Sequence, residues 1–259
     1  MNDKNKKILI LILSILLVIA LGSMFWLMPK VENSSNTQEP EVTEKVNYDA
    51  EIKLFDDNYA INDDYVGQII FESGIIDLPV VQSQLEDVYA AYDEYLRTAW
   101  DTMEHDEEGS IFMDPNVNHE TDQNIVIYGH YVYPFLDPEQ THKFSPLHLL
   151  KDETNYDANK NIKLILKDEI REYEVAYVYY AAIITDENGQ YSEVNYMLPN
   201  FESEEFENYF SAIENLEFYS TGIEISEEDD FLTLQTCVEN RDDLRLIIVA
   251  KETNRVAMR

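Results

Sequence analysis

Residues 231–251 read FLTLQTCVENRDDLRLIIVAK: an apolar run, Phe231 to Cys237, then the polar stretch Val238 to Asp243, then a second apolar run, Leu244 to Lys251. Both runs are rich in β-branched and aliphatic residues, and the few polar residues between them suit a turn, so the stretch predicts an antiparallel β-hairpin. In a strand of period two, Thr233, Gln235 and Cys237 share one face while Leu232 and Leu234 share the other. Cys237 therefore stands on the more polar face, at a strand end. Arg245 is the one charge between Leu244 and Ala250, where burial without a partner would cost several kcal/mol. In a hairpin the two residues stand near the same end and face the same side. A guanidinium there favours a thiolate and steadies a developing oxyanion. Two bland readings compete: an inert thiol, and an arginine paired with Asp242 or Asp243.

Outward from the hairpin, other strand-like runs are Tyr65–Phe71, Asn124–Tyr128, Ile162–Leu166 and Arg171–Ile184. Helical patterns occur at Leu85–Thr98 and at Ser203–Asn215, where Ser203 suits an N-cap and Phe206, Tyr209, Phe210 and Ile213 form one apolar stripe. More strands than helices predict a β-barrel or sandwich with helical additions. Cysteine catalysis also needs an acid–base group. Of the five histidines, His105, His119, His142 and His148 lie in polar segments and are expected at the surface. His130 follows a strand that stops at Gly129, which delivers an imidazole to a loop-built site.

The chain has 259 residues and a net charge of −34. That acidity excludes nucleic acid as a partner, since phosphate binding depends on Lys and Arg. With Cys237 as its single cysteine the chain makes no internal disulfide. Acidic clusters such as Asp186-Glu187-Asn188-Gly189 lack the spaced ligands of an EF-hand. Ile8 to Met28 is 21 residues without a charge, long enough for a helix to span a bilayer core of about 30 Å. A cleaved signal peptide competes, with Ala20-Leu21-Gly22 as its site, but the apolar run continues to Met28. Lys4, Lys6 and Lys7 precede it, which places residues 1–7 in the cytoplasm and the remainder outside the cell. Residues 1–30 hold four Lys and one Asp, which leaves 14 basic and 51 acidic side chains, a charge of −37, on the part beyond. Residues 29–46 read as a flexible stalk, and 47–259 as the folded domain.

Taken together, Thr233-Leu234-Gln235-Thr236-Cys237, Arg245 within Leu244–Lys251, and Asn124 to His130 resemble the signature of the sortases, cysteine transpeptidases of Gram-positive cell walls. Val66–Ile69, Ile76–Gln82, Gly109–Asp114 and the helix before the Cys237 strand are similar to class B members. The resemblance implies a closed eight-stranded β-barrel with added helices behind a single-pass membrane anchor. It implies Cys237 as nucleophile, His130 as acid–base and Arg245 as the group that orients substrate and steadies the oxyanion. Gln235 and Thr236 are the candidate substrate contacts. It further implies partners: surface proteins with an LPxTG-like carboxy-terminal sorting signal, and an acceptor amine on a peptidoglycan precursor or, in the pilin-joining variant, on a pilin Lys. No metal or organic cofactor is implied. A non-catalytic surface-binding barrel is the rival of another class. Two features depart from class B: Gln235 stands where many members have Ser, and the segment Tyr131–Phe144 after His130 is longer, which alters the groove rim.

Overall fold

The computed structural model describes residues 46–132, 143–186 and 189–259. The expected anchor at 8–28, all but the last residue of the expected stalk at 29–46, and most of the segment after His130, with His142, lie outside the described residues. Among the described residues no helix is long and apolar enough to cross a membrane.

In chain order the elements are helix α1 (Asp49–Tyr59), strands β1 (Tyr65–Phe71) and β2 (Asp77–Val81), helix α2 (Val88–Glu94), β3 (Ile111–Met113), β4 (Asn124–Tyr128), 3-10 turns at Ser145–Lys151 and Glu153–Asn155, α3 (Tyr156–Asn159), β5 (Asn161–Ile165), β6 (Glu169–Asp186), β7 (Gly189–Ser192), α4 (Ser203–Glu214), β8 (Phe231–Val238) and β9 (Arg241–Ala257). The predicted hairpin is β8 and β9, antiparallel from Phe231 opposite Lys251 to Cys237 opposite Arg245. It turns at Glu239-Asn240, where Asn240 takes a φ of 56°, a left-handed conformation that Asn tolerates.

Strands run in the order β5-β1-β2-β3-β4-β8-β9-β6, and β5 pairs with β6 to close an eight-stranded barrel. β7 is a ninth strand, added to the outer end of β6. Two neighbours are parallel, β2 with β3 and β4 with β8, and both need long crossovers. The first carries α2 and the second most of the later elements. Leu232, Leu234, Leu246 and Ile248 of the hairpin are fully buried in the core. Thr233 sits on the other face, and its hydroxyl donates to Asn124 Oδ1 at 2.8 Å, joining β8 to β4.

Helix α4 buries the predicted stripe, Phe206, Tyr209, Phe210 and Ile213, with Phe210 5.0 Å from Phe231 between ring centroids. Its N-cap is Glu202 and not Ser203: Glu202 forms a reciprocal capping box with Glu205, and Ser203 Oγ donates to Glu227 instead. The helix predicted at Leu85–Thr98 is shorter, Val88–Glu94. Asp87 caps it by accepting from Tyr89 and Ala90 N–H. Beyond Glu94 the backbone serves other partners, the Tyr95 carbonyl accepting from Ser110 N–H. Helix α1 escaped sequence reading because it buries a single residue, Phe55, and so lacks an apolar stripe.

Candidate active site

β4 and β8 run parallel with Tyr128 opposite Gln235, and the ladder extends one step as Gly129 N–H donates to the Gln235 carbonyl at 3.1 Å. Backbone groups alternate sides along a strand, so Gln235 and Cys237 both aim their carbonyls at the β4 side. Cys237 and Arg245 are then a non-hydrogen-bonded antiparallel pair, the kind whose Cα atoms stand only about 4.5 Å apart. His130 lies two residues beyond Tyr128, just past the end of β4, and Cys237 two beyond Gln235 on β8. The three residues predicted from sequence are thus brought together, Cys237 and Arg245 as strand partners and His130 from the loop that leaves the neighbouring strand. Their side chains line a common cleft of about 310 Å³ with Leu96, Phe112, Tyr128, Tyr196 and Gln235. Thr236 is not brought to this cleft. Strand alternation sends it to the opposite face, where it is fully buried and its hydroxyl has no partner among the described residues.

Arg245 is not paired with Asp242 or Asp243 through a carboxylate. Asp243 is held by Arg241 at 2.7 and 2.8 Å. Arg245 Nη1 donates to the Asp242 and Leu244 carbonyls at 3.0 and 2.8 Å, which pins the guanidinium at the hairpin bulge that follows Cys237. Its Nε and Nη2 make no hydrogen bond to the described residues, so the unspent donors belong to the cleft. Tyr196 is buried beside the same pair. Burial pushes its phenol up to about 12, the Arg245 guanidinium pulls it back, and the charge of Cys237 raises it further. The phenol is therefore a neutral donor at neutral pH. Among 18 tyrosines, nothing in the sequence singles this one out.

His130 Nε2 donates to the Leu96 carbonyl at 2.7 Å. A carbonyl accepts only, so Nε2 carries a proton and proton exchange in the cleft falls to Nδ1. Leu96 supplies that carbonyl because α2 stops short of it. Gly109 lies under the same peptide: its φ is 56°, and a Cβ there would stand 2.3 Å from Leu96 O and 2.6 Å from Tyr95 O. Gly109→Ala is expected to lower stability by about 2 kcal/mol and to reduce turnover by displacing the His130 acceptor. Thermal melting and turnover of the variant check both.

Below the cleft, buried Asp114 accepts from the hydroxyls of Tyr92 and Tyr128, each at 2.6 Å. Asp114 Oδ1 also accepts from Asn116 N–H at 2.8 Å. This carboxylate fixes the two cleft-wall tyrosines, whose phenols are raised by burial and by Asp114.

Two histidines expected at the surface are half-buried. His119 sits where its own carbonyl accepts from Arg171 at 2.6 Å. His148 places Nε2 3.0 Å from the Cys237 carbonyl. Burial lowers both pKa values, His148 to about 4. Between that value and the ordinary value near 6.5 the unfolded chain binds the extra proton and the folded chain does not. The stability contributed by a neutral His148 is therefore complete above about pH 6.5 and lost as pH falls towards 4. The melting temperature is expected to drop over this window, and less steeply in His148→Gln. Equal slopes in the two proteins would contradict a buried, neutral His148.

No protein-family model matches the chain. Sortase B of Listeria monocytogenes is 26% identical over 183 residues, 70% of this chain and 66% of that relative's length. Among solved structures, sortase B of Clostridium perfringens is 28% identical with a TM-score of 0.60, covering 77% of this chain and 99% of that one. A Staphylococcus aureus sortase B–substrate complex shares the fold at a TM-score of 0.63 and 21% identity, covering 79% of this chain and 92% of that one. By sequence and by barrel topology together, the chain is similar to the class B sortases.

Proposed function

We propose that the chain is a membrane-anchored cysteine transpeptidase that cuts an LPxTG-like sorting signal of a surface protein and joins the acyl fragment to a cell-wall precursor amine. The observation that carries this reading is the convergence of His130 with the strand pair Cys237 and Arg245 in one cleft. The Cys237 thiolate attacks the Thr carbonyl carbon of the signal, and the oxyanion faces the unspent Arg245 donors. The C–N bond then breaks, the leaving amine takes a proton from His130, and a thioacyl enzyme remains. The acceptor amine attacks that thioester and gives a proton to His130. The new amide forms as the thiolate departs, so enzyme and protons return to their starting state.

Residues 8–28 would hold the enzyme at the membrane with the catalytic domain outside the cell. Protease treatment of intact cells tests this, because the domain should be shaved off while residues 1–7 stay protected.

The activity is tested by incubating the full-length chain with a fluorophore-bearing sorting-signal peptide and triglycine. Release of the carboxy-terminal fragment together with a triglycine-ligated product supports the reading. No cleavage across a panel of sorting signals would favour a non-catalytic binding barrel. A product only with a Lys side-chain amine would point to the pilin-joining variant.

A further inference from the structure

The Cys237 carbonyl points to the β4 side of β8, but β4 has already ended. Past the end of β4, Tyr131 forms an isolated bridge with Lys143. Beyond Lys143 lies the 3-10 turn Ser145–Lys151, anchored by fully buried Leu147 and Leu150. From this turn His148 reaches back, its Nε2–H donating to the Cys237 carbonyl at 3.0 Å and its ring against Tyr131 at 4.5 Å between centroids. The same limb grips the histidine strand. Phe144 N–H donates to the His130 carbonyl at 3.1 Å, and Ser145 Oγ bonds both the N–H and the carbonyl of Val132, at 2.7 and 3.1 Å. On its other flank β8 loses regular register to β9 immediately after Cys237. The peptide that carries the thiol is thus held from the β4 side by a side chain where a strand would ordinarily hold it.

We propose that His148 is a positioning residue for the nucleophile: its imidazole N–H holds the Cys237 carbonyl and keeps the Cys237 thiol in line with His130 and Arg245. That its imidazole is kept neutral by burial and by Lys151 agrees with a single fixed donor. The role rests on the acyl-transfer reading, since positioning matters through the geometry of attack, where small displacements are costly.

The test compares His148→Phe, which keeps a ring against Tyr131 but has no donor, with His148→Gln, which restores an amide N–H, both in the full-length chain. Transpeptidation kcat and KM, Cys237 alkylation by iodoacetamide, and melting temperature are measured. Loss of one well-placed hydrogen bond is expected to lower kcat and the alkylation rate about tenfold in the Phe variant, with KM within about twofold, and Gln should recover most of both. A Phe variant that reacts like the wild type, or a Gln variant no better than Phe at the same melting temperature, would overturn the role. If the Phe variant does not fold, His148→Asn, whose shorter amide falls short of the carbonyl, takes its place with the same expected and contrary results. Alkylation does not involve a sorting signal. A wild type that forms no thioacyl adduct, with alkylation still dependent on His148, would defeat the acyl-transfer reading and leave the positioning of the thiol standing.

Discussion

Cys237→Ala is expected to reduce transpeptidation by about 10⁴-fold or more, to the background of the peptide alone, while leaving the fold intact. The size follows from the mechanism: without sulfur there is no covalent intermediate, and His130 and Arg245 have nothing to act upon. The intact fold follows from the setting. Cys237 is a free, partly exposed thiol at a strand end, outside the Leu232–Leu234 side of the strand, so its loss opens no core cavity. Far-ultraviolet circular dichroism and melting temperature should match the wild type within a few degrees. A Cys237→Ala protein with substantial remaining turnover would remove the thiol from the reaction, whereas one that is inactive only because it is unfolded would show in the melt.

Arg245→Lys is the second large effect, an expected loss of about 10²-fold in kcat with little change in KM. Lysine keeps the charge and gives up the planar fork. In this chain the fork has two duties. Nη1 is fastened to the Asp242 and Leu244 carbonyls, and the remaining donors face a cleft in which Arg245 is the strand partner of Cys237. An ammonium cannot hold the two carbonyls and still present fixed donors to an oxyanion, a contact commonly worth about 10²–10³ in rate. A fall in kcat/KM carried mainly by kcat would agree with a role in the transition state. A rise in KM alone would assign Arg245 to ground-state binding. Near-normal kinetics would take it out of the mechanism.

The three candidate site residues were legible because each breaks the pattern of its surroundings. Cys237 falls on the polar face, Arg245 interrupts an apolar run, and His130 follows a glycine at the end of a buried strand. Strand periodicity also carried the hairpin, and the pairing of Cys237 with Arg245 came from the hairpin alone. The closure of the barrel did not come from periodicity. It depends on the β5–β6 and β1–β5 ladders and the parallel β4–β8 neighbours, contacts between distant segments that only the family resemblance implied. What sequence reading missed has a common physical cause. His148, Tyr196 and the Leu96 carbonyl act through positions set by loops and by a helix that stops early. His148 was expected at the surface with the polar connection before it, but its own neighbours Leu147, Leu149 and Leu150 are apolar, and buried Leu147 and Leu150 anchor the turn beneath it. The Leu96 carbonyl is a backbone group and carries no side-chain signal. Thr236 shows the limit of motif reading: it adjoins Cys237 in sequence, yet strand alternation turns it away from the cleft.

The central claim is that Cys237 is an acylating nucleophile. It is tested most directly by intact-mass spectrometry of the full-length chain mixed with a sorting-signal peptide in the absence of an amine acceptor, followed by peptide mapping. A mass increase equal to the acyl fragment up to the Thr carbonyl, located on Cys237, removed by hydroxylamine and absent in Cys237→Ala, is the predicted result. Cleavage of the peptide with no adduct on Cys237, or an adduct on any other residue, would contradict the account.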